Sequence, residues 1–308
     1  MALAIISEAN SILQGVLPLY KEAGHSSGFY VNQIKRLLHI KKVGHTGTLD
    51  PAAEGVLPIC LNRATKIVPY LMEGRKAYRC FCRFGIRTDT EDTTGEVLSR
   101  ADTEDLNKLS DSEIREAILS FEGGYSQLPP MYSAKKVQGR RLYEFAREGQ
   151  AVERRSVNVQ IYGIGIDETG RDGEGPYAIF NVECGKGTYI RSLCRDIGEK
   201  LKVGAAMEGL VRTLSGGFRL EEAIRLSDLE GLYQKGKIGD AIKPIEAFFM
   251  ELPLITVSGQ DERKVRNGNV LRTDKAEGRY RVRLSDGTFA AVYEVRGGEA
   301  ALCTYFLT

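Results

Sequence analysis

Apolar positions along the chain change period several times, and each change marks an element. After Ser26-Ser27, the residues Val31, Ile34, Leu37 and Leu38 recur at helical spacing, so a capped amphipathic helix ending near Ile40 is expected. Residues 75–85 alternate instead, with Tyr78, Cys80, Cys82 and Phe84 on one face and Ala77, Arg79, Phe81 and Arg83 on the other, which predicts a strand with one partly basic face. Ser110 and Glu113 have the spacing of a capping box, and Ile114, Ile118 and Phe121 follow at helical spacing. Residues 157–166 and 177–184 read as strands. The second runs through Gly185-Lys186-Gly187 into a helix with Ile190, Leu193, Cys194, Ile197 and Leu201 on one face. Near the end, Tyr280, Val282 and Leu284 alternate up to Asp286-Gly287, and Phe289, Ala291 and Tyr293 alternate after it, a strong hairpin signal. The tail therefore reads as a small β-barrel joined near Pro244–Pro253.

Composition adds a scale. A chain of 308 residues accommodates two domains of about 150 residues on average. With 42% hydrophobic and 27% charged residues it has the make-up of a soluble globular protein. No apolar run reaches the roughly 18 residues of a membrane span. The opening MALAIISEAN has neither a basic n-region nor a small-residue cleavage site, so no secretory signal and a cytoplasmic location are expected. The formal net charge of +2 argues at first against a strongly basic nucleic-acid binder. Its distribution argues otherwise. Residues 35–42 hold four basic residues and no acid, 63–87 carry a net +6, 89–122 a net −8 and 135–155 a net +4, while the chain from Ile245 onward is neutral. Two readings fit such blocks: the footprint of phosphate-backbone binding, or solvated helix faces and strand edges. On either reading the acidic block is expected to be largely a solvated linker and helix.

Most familiar chemistries are missing. The six cysteines, at 60, 80, 82, 184, 194 and 303, form no C-x2-C pair and are expected as buried thiols. The histidines His25, His39 and His45 make no metal-ligand pattern on one helix, so no metal site is expected. Gly185-Lys186-Gly187-Thr188 lacks the spacing of a phosphate loop, and Gly163-Ile164-Gly165 lacks the third glycine of a dinucleotide fingerprint. Zinc-deaminase and nucleophile-elbow motifs are also absent. Three segments remain. Gly44-His45-Thr46-Gly47-Thr48-Leu49-Asp50-Pro51 either presents a carboxylate on a rigid turn or is a surface loop with an Asx-type turn. At the strand-to-helix junction 185–191, Arg191 opposes the helix dipole unless a carboxylate offsets it, and Asp50 is the candidate partner. In the stretch 128–143, Pro129-Pro130 stiffens a chain that then interleaves Tyr132, Lys135, Lys136, Arg140, Arg141 and Tyr143. That suits a clamp on a polyphosphate backbone, or an ordinary loop running into a helix at Leu142 and Phe145.

These segments, in this order, resemble the TruB family of tRNA pseudouridine-55 synthases. GHTGTLDPAAEGVLPICLNRATKI is similar to the family's catalytic motif, and KAYRC, PPMYSAKKVQGRRLYEFAREG and GKGTYIRSLCRDIGEKL match further motifs. Asn267-Gly268-Asn269 is similar to part of the family's C-terminal domain. One segment departs: where the family has L-D-K-P, this chain has Leu19-Tyr20-Lys21-Glu22. The resemblance implies an α+β pseudouridine synthase fold, in which a central mixed, mainly antiparallel sheet is flanked by helices and a small C-terminal β-barrel of PUA type is added. It implies a catalytic domain over 1–248, with an RNA-clamping loop at about 125–150, and an RNA-binding domain over 249–308. The implied reaction turns a uridine of the tRNA T-loop into pseudouridine by base flipping, without metal or cofactor. Asp50 matches the catalytic aspartate, as attacking group or as base. Tyr78 matches the tyrosine that stacks on the target ring, Tyr189 and Leu210 match residues lining the uracil pocket, and Arg191 matches the aspartate's partner. His45 matches a residue intruding on the T-loop. Lys21, Lys135, Lys136, Arg140 and Arg141 are the expected RNA contacts. The implied partner is tRNA, at its T-loop and acceptor end, met by a monomer that needs no protein partner and no membrane. Two other readings are a guide-RNA-dependent relative and a tRNA-folding chaperone.

Overall fold

The computed structural model describes residues 13–307, so the opening segment MALAIISEAN lies outside the described residues. In chain order the strands are β1 (Gly15–Lys21), β2 (Val43–His45), β3 (Glu54–Leu61), β4 (Lys76–Phe84), β5 (Ile86–Thr88), β6 (Val97–Arg100), β7 (Gly123–Gln127), β8 (Lys136–Val137), β9 (Arg140–Arg141), β10 (Val157–Asp172), β11 (Gly175–Cys184), β12 (Ala205–Ser215) and β13 (Phe218–Arg219). Among the described residues, nine of them form one sheet in the order β1-β3-β12-β4-β11-β10-β7, with β2 added to β3 and β13 to β12. Its neighbours are antiparallel except β3 and β12, which run parallel through two residue pairs, Val211 with Glu54 and Arg212 with Gly55. The expected mixed, mainly antiparallel sheet with flanking helices is present.

That short parallel seam joins two half-sheets with separate cores. On the β1-β3 side, the helix Ser27–Leu37 buries Tyr30, Val31 and Ile34 against Leu17, Leu19, Leu57 and Ile59. Ser26 caps it, accepting the Phe29 N–H at 3.2 Å, as the sequence suggests. On the other side, the helices Asp111–Leu119 and Ile190–Lys200 cover β4, β11 and β12 through Ile114, Ile118, Leu193, Cys194 and Ile197. The capping box of Ser110 and Glu113 is formed. At the seam, Gly55 has φ +105°, and a Cβ there would stand 2.3 Å from the Arg212 carbonyl oxygen. Only glycine lets the halves close here.

A second, five-stranded sheet follows, ordered β14 (Leu254–Thr256), β16 (Gly278–Arg283), β17 (Phe289–Arg296), β18 (Glu299–Tyr305), β15 (Leu271–Arg272). It curls into a half-barrel, the small C-terminal β unit expected. The Asp286-Gly287 turn joins β16 to β17, closed by Leu284 N–H donating to the Thr288 carbonyl at 2.9 Å. Phe249, Phe289 and Phe306 stack between this sheet and the larger one, beside Val16, Cys60 and Ile67.

One reading of the charge blocks needs correction. The basic block 63–87 is largely committed within the protein. Arg63 and Lys66 donate to the Phe306 and Tyr305 carbonyls, which fastens the C-terminal sheet. Arg79 pairs with Asp167 at 2.9 Å, Arg83 with Asp172 and Glu208 at 2.7 Å each, and Arg87 with Glu199. The basic face of β4 is therefore neutralised by neighbouring strands instead of being free for phosphate. The acidic block is largely solvated as expected, with two exceptions. Glu91 and Asp92 are buried, because their carboxylates receive Ser192 and Arg195, and Thr90 and Thr94, respectively. Five cysteines are buried as expected, but Cys303 on β18 is exposed. No helix among the described residues is long and apolar enough to cross a membrane.

Candidate active site

Between β2 and β3 the chain makes the turn that carries Asp50, and the segment 21–27 grips it on both sides. The Ser27 hydroxyl accepts the Leu49 N–H at 2.9 Å and donates to the Leu49 carbonyl at 3.1 Å. Gly24 N–H donates to the Pro51 carbonyl at 2.9 Å. Lys21, which is 0% exposed, donates to the carbonyls of Pro51 at 3.0 Å, Ala53 at 2.6 Å and Glu22 at 3.1 Å. Burial lowers its pKa to about 8. Lys21 is thus corrected from an RNA contact to a brace for the Asp50 turn, since its ammonium is spent on carbonyl oxygens out of reach of a phosphate. Lys21→Met should lower the unfolding free energy by about 1–3 kcal/mol, because the buried Ala53 carbonyl and the part-buried Pro51 and Glu22 carbonyls lose their donor. A urea midpoint equal to that of the parent chain would contradict this bracing role. The departures from the family motif are absorbed locally: Tyr20 donates to Glu54 at 2.7 Å, and Arg225 lies over the Tyr20 ring at 4.7 Å and pairs with Glu22.

The carboxylate so mounted is 38% exposed and its Oδ2 lies 2.9 Å from Nε of Arg191, whose side chain is only 6% exposed. The pairing anticipated from the helix dipole is therefore present. Arg191 uses its whole fork. Nη1 donates to the Thr90 carbonyl at 2.8 Å and Nη2 to the Tyr132 carbonyl at 2.9 Å, while Asp92 Oδ2 stands 3.8 Å from Nε. A guanidinium fixed at several points holds the Asp50 carboxylate in one orientation without covering it.

Of the other residues singled out from the sequence, Tyr78 lies close enough to Asp50 to feel its charge. Tyr78 faces Arg212 across the β4–β12 ladder, and Leu210 faces Cys80 two residues along. Both Tyr78 and Leu210 are buried. Burial raises the Tyr78 phenol above its ordinary pKa, against the opposing pull of Arg212. Tyr189 caps the helix Ile190–Lys200 through its backbone alone: Gln127 accepts its N–H at 2.8 Å and donates to its carbonyl at 3.0 Å. His45 accepts the Gly47 N–H on Nδ1 at 3.3 Å, and burial followed by Arg212 lowers its pKa, so the imidazole is neutral near pH 7. Three contributors were missed from sequence. Gln127 and the Glu91-Asp92 pair act through partners far along the chain. Arg212 could have been found as a lone arginine in the otherwise apolar GLVRTL run.

The stretch expected as a clamp is more ordered than a loop. Residues 125–127 belong to β7 within the large sheet, so the loop expected from 125 begins only after Gln127. Arginines then hold its carbonyls: Arg195 that of Leu128 at 3.0 Å, Arg154 that of Pro129 at 2.8 Å and Arg191 that of Tyr132. Beyond Ser133, β8 and β9 form a hairpin leading into the short helix Leu142–Arg147. Lys136 and Arg141 are exposed and Lys135 is half-buried. Arg140 pairs with Glu148 and, at 3.7 Å, with Glu144, so its charge is already answered locally. Among the described residues, no group of three or more His, Cys, Asp or Glu side chains could hold a metal ion.

Comparison with known proteins adds an independent line. Residues 35–190 match the model of the TruB family pseudouridylate synthase N-terminal domain, and residues 191–250 that of the tRNA pseudouridylate synthase B C-terminal domain. The chain is 44% identical over 257 residues to tRNA pseudouridine synthase B of Alkaliphilus oremlandii, spanning 83% of this chain and 82% of that protein. It is 44% identical over 286 residues to the protein of the same name from Bacillus licheniformis, spanning 91% and 92%. Its fold is similar to that of a chain in an H/ACA ribonucleoprotein bound to a substrate RNA containing 2′-deoxyuridine, with a TM-score of 0.70 and 25% identity over 98% of this chain and 87% of that one.

Proposed function

The chain belongs to the TruB family of pseudouridylate synthases, and on that premise we propose that it converts the uridine at position 55 in the T-loop of tRNA to pseudouridine, with Asp50 as the catalytic carboxylate. The observation that carries this reading is the half-exposed Asp50 carboxylate held by buried Arg191 beside Tyr78. The reaction is an isomerisation. The N1–C1′ bond breaks, C5 bonds to C1′, the C5 proton leaves and N1 gains one, so no electrons are exchanged with a cofactor. A base paired or stacked in the T-loop cannot reach Asp50, so the nucleotide is flipped out at a cost of a few kcal/mol. Stacking on Tyr78, an apolar wall from Leu210 and Tyr189, and occupation of the vacated space by neutral His45 offset that cost.

In this reading residues 1–248 form the catalytic unit and the half-barrel over 249–308 a PUA-like unit for the acceptor end. Lys135, Lys136 and Arg141 meet phosphate from the clamp. Replacing Lys135 and Arg141 together by alanine should weaken tRNA binding and reduce the slope of log K against log salt by about 1–2. An unchanged slope would remove these residues from the interface. The function itself is tested by tritium release from tRNA transcripts labelled at C5 of uridine. Release by the purified chain is expected, and its absence would refute the reading. A second reading, dependence on a guide RNA, is favoured only by the likeness to the H/ACA ribonucleoprotein chain; there, release would appear only on adding guide RNA and partner proteins.

A further inference from the structure

Arg212 is among the largest fully buried side chains of the protein, 1% exposed, and among the described residues no carboxylate pairs with it. A buried guanidinium without a counter-ion is costly, so its retention calls for a role beyond packing. Its contacts lie on three different segments. Nε donates to the Val56 carbonyl on β3 at 2.8 Å, and Nη2 to the Gly47 carbonyl at 3.2 Å, with Nη1 at 3.5 Å from the Thr48 carbonyl. Across the ladder Arg212 stands directly opposite Tyr78, its register partner on β4, near enough for its charge to pull the phenol's pKa down against burial. Its own backbone forms the two-pair seam with Glu54-Gly55, where no side chain fits. One residue therefore ties the strand bearing Tyr78, the turn leading to Asp50 and the junction of the two half-sheets. Arg191 orients the Asp50 carboxylate from the helix side, and Arg212 ties the turn before Asp50 to β3.

We propose that Arg212 is a positioning residue for the isomerisation: it fixes the Tyr78 ring against the Asp50 turn and so sets the gap in which the uracil ring is held. This rests on the isomerase reading above. Arg212 touches neither substrate nor reacting atoms and acts through Tyr78 and the carbonyls of Gly47 and Thr48. An error of about 1 Å in such a gap is enough to cost about 100-fold in rate.

The test is a double-mutant cycle with Tyr78→Phe, which keeps the ring and removes the hydroxyl. With saturating tRNA, Arg212→Met should lower kcat about 100-fold and leave KM within about 3-fold. In the Tyr78→Phe background the same substitution should cost about 10-fold or less, because the link to the phenol is already gone. Equal losses in both backgrounds, or a rise in KM at unchanged kcat, would overturn the proposal. If Arg212→Met does not fold by circular dichroism, Arg212→Lys serves in its place. It keeps the charge and stem but not the fork, and full turnover by a folded Arg212→Lys chain would also overturn the role. A parent chain that forms no pseudouridine refutes the isomerase reading itself, an outcome distinct from an active parent with an indifferent Arg212.

Discussion

Asp50→Asn should abolish pseudouridine formation, a loss of at least about 10⁴-fold in single-turnover rate, while tRNA affinity stays within about 3-fold. The asymmetry follows from the site. The amide has the shape of the carboxylate, and its oxygen can still accept from Nε of Arg191, so the turn gripped by Ser27, Gly24 and Lys21 is undisturbed. What disappears is the negative charge and the lone pair basicity, which either role for Asp50 requires, attack at C1′ or removal of a ribose proton. Stacking, pocket and phosphate contacts remain. Tritium release, filter binding and a melting curve on the same preparation separate the effects. Weakened binding together with retained turnover would place the chemistry elsewhere.

Arg191→Met should be damaging in two ways at once. The guanidinium answers Asp50 and the carbonyls of Thr90 and Tyr132, with Asp92 close by. Removing it leaves two part-buried acceptors and an acidic pair without a cation, for which a loss of about 3–5 kcal/mol in stability is expected. Turnover should fall by about 10³-fold, because Asp50 loses its orientation and the segment at Tyr132 loses its tether. Arg191→Lys keeps the charge but cannot reach three acceptors from one ammonium, so it should restore stability in part and turnover poorly. Urea midpoints and single-turnover rates measure the two separately. A variant with normal turnover would remove Arg191 from the mechanism.

Local signals in the sequence were dependable here. The Ser26 cap, the Ser110–Glu113 box and the Asp286-Gly287 hairpin each depend on residues a few positions apart, and all are formed. The Asp50–Arg191 contact was also legible, because an arginine at a helix start needs an anion and the chain offers a carboxylate on a stiff turn. What escaped depends on pairings over long separations. Lys21 looks like a surface cation until the carbonyls of Pro51 and Ala53 are seen around it. The basic block looked free for RNA because Asp167, Asp172 and Glu208, which neutralise it, stand about a hundred residues away on neighbouring strands. Arg212 stood out only as an arginine in a mostly apolar run, and its role was hidden because nothing in sequence says that β12 meets β3 at Gly55. Charge by segment marked β4 and the stretch 135–155 alike, and only sheet register shows that the basic side chains of β4 are answered by acids on neighbouring strands.

The most direct test of the account is mass-based mapping of an unmodified tRNA transcript after incubation with the purified chain alone. One pseudouridine at position 55 of the T-loop, absent with Asp50→Asn, is the expected result. An unmodified T-loop, or a pseudouridine that appears only when guide RNA and partner proteins are added, would contradict it.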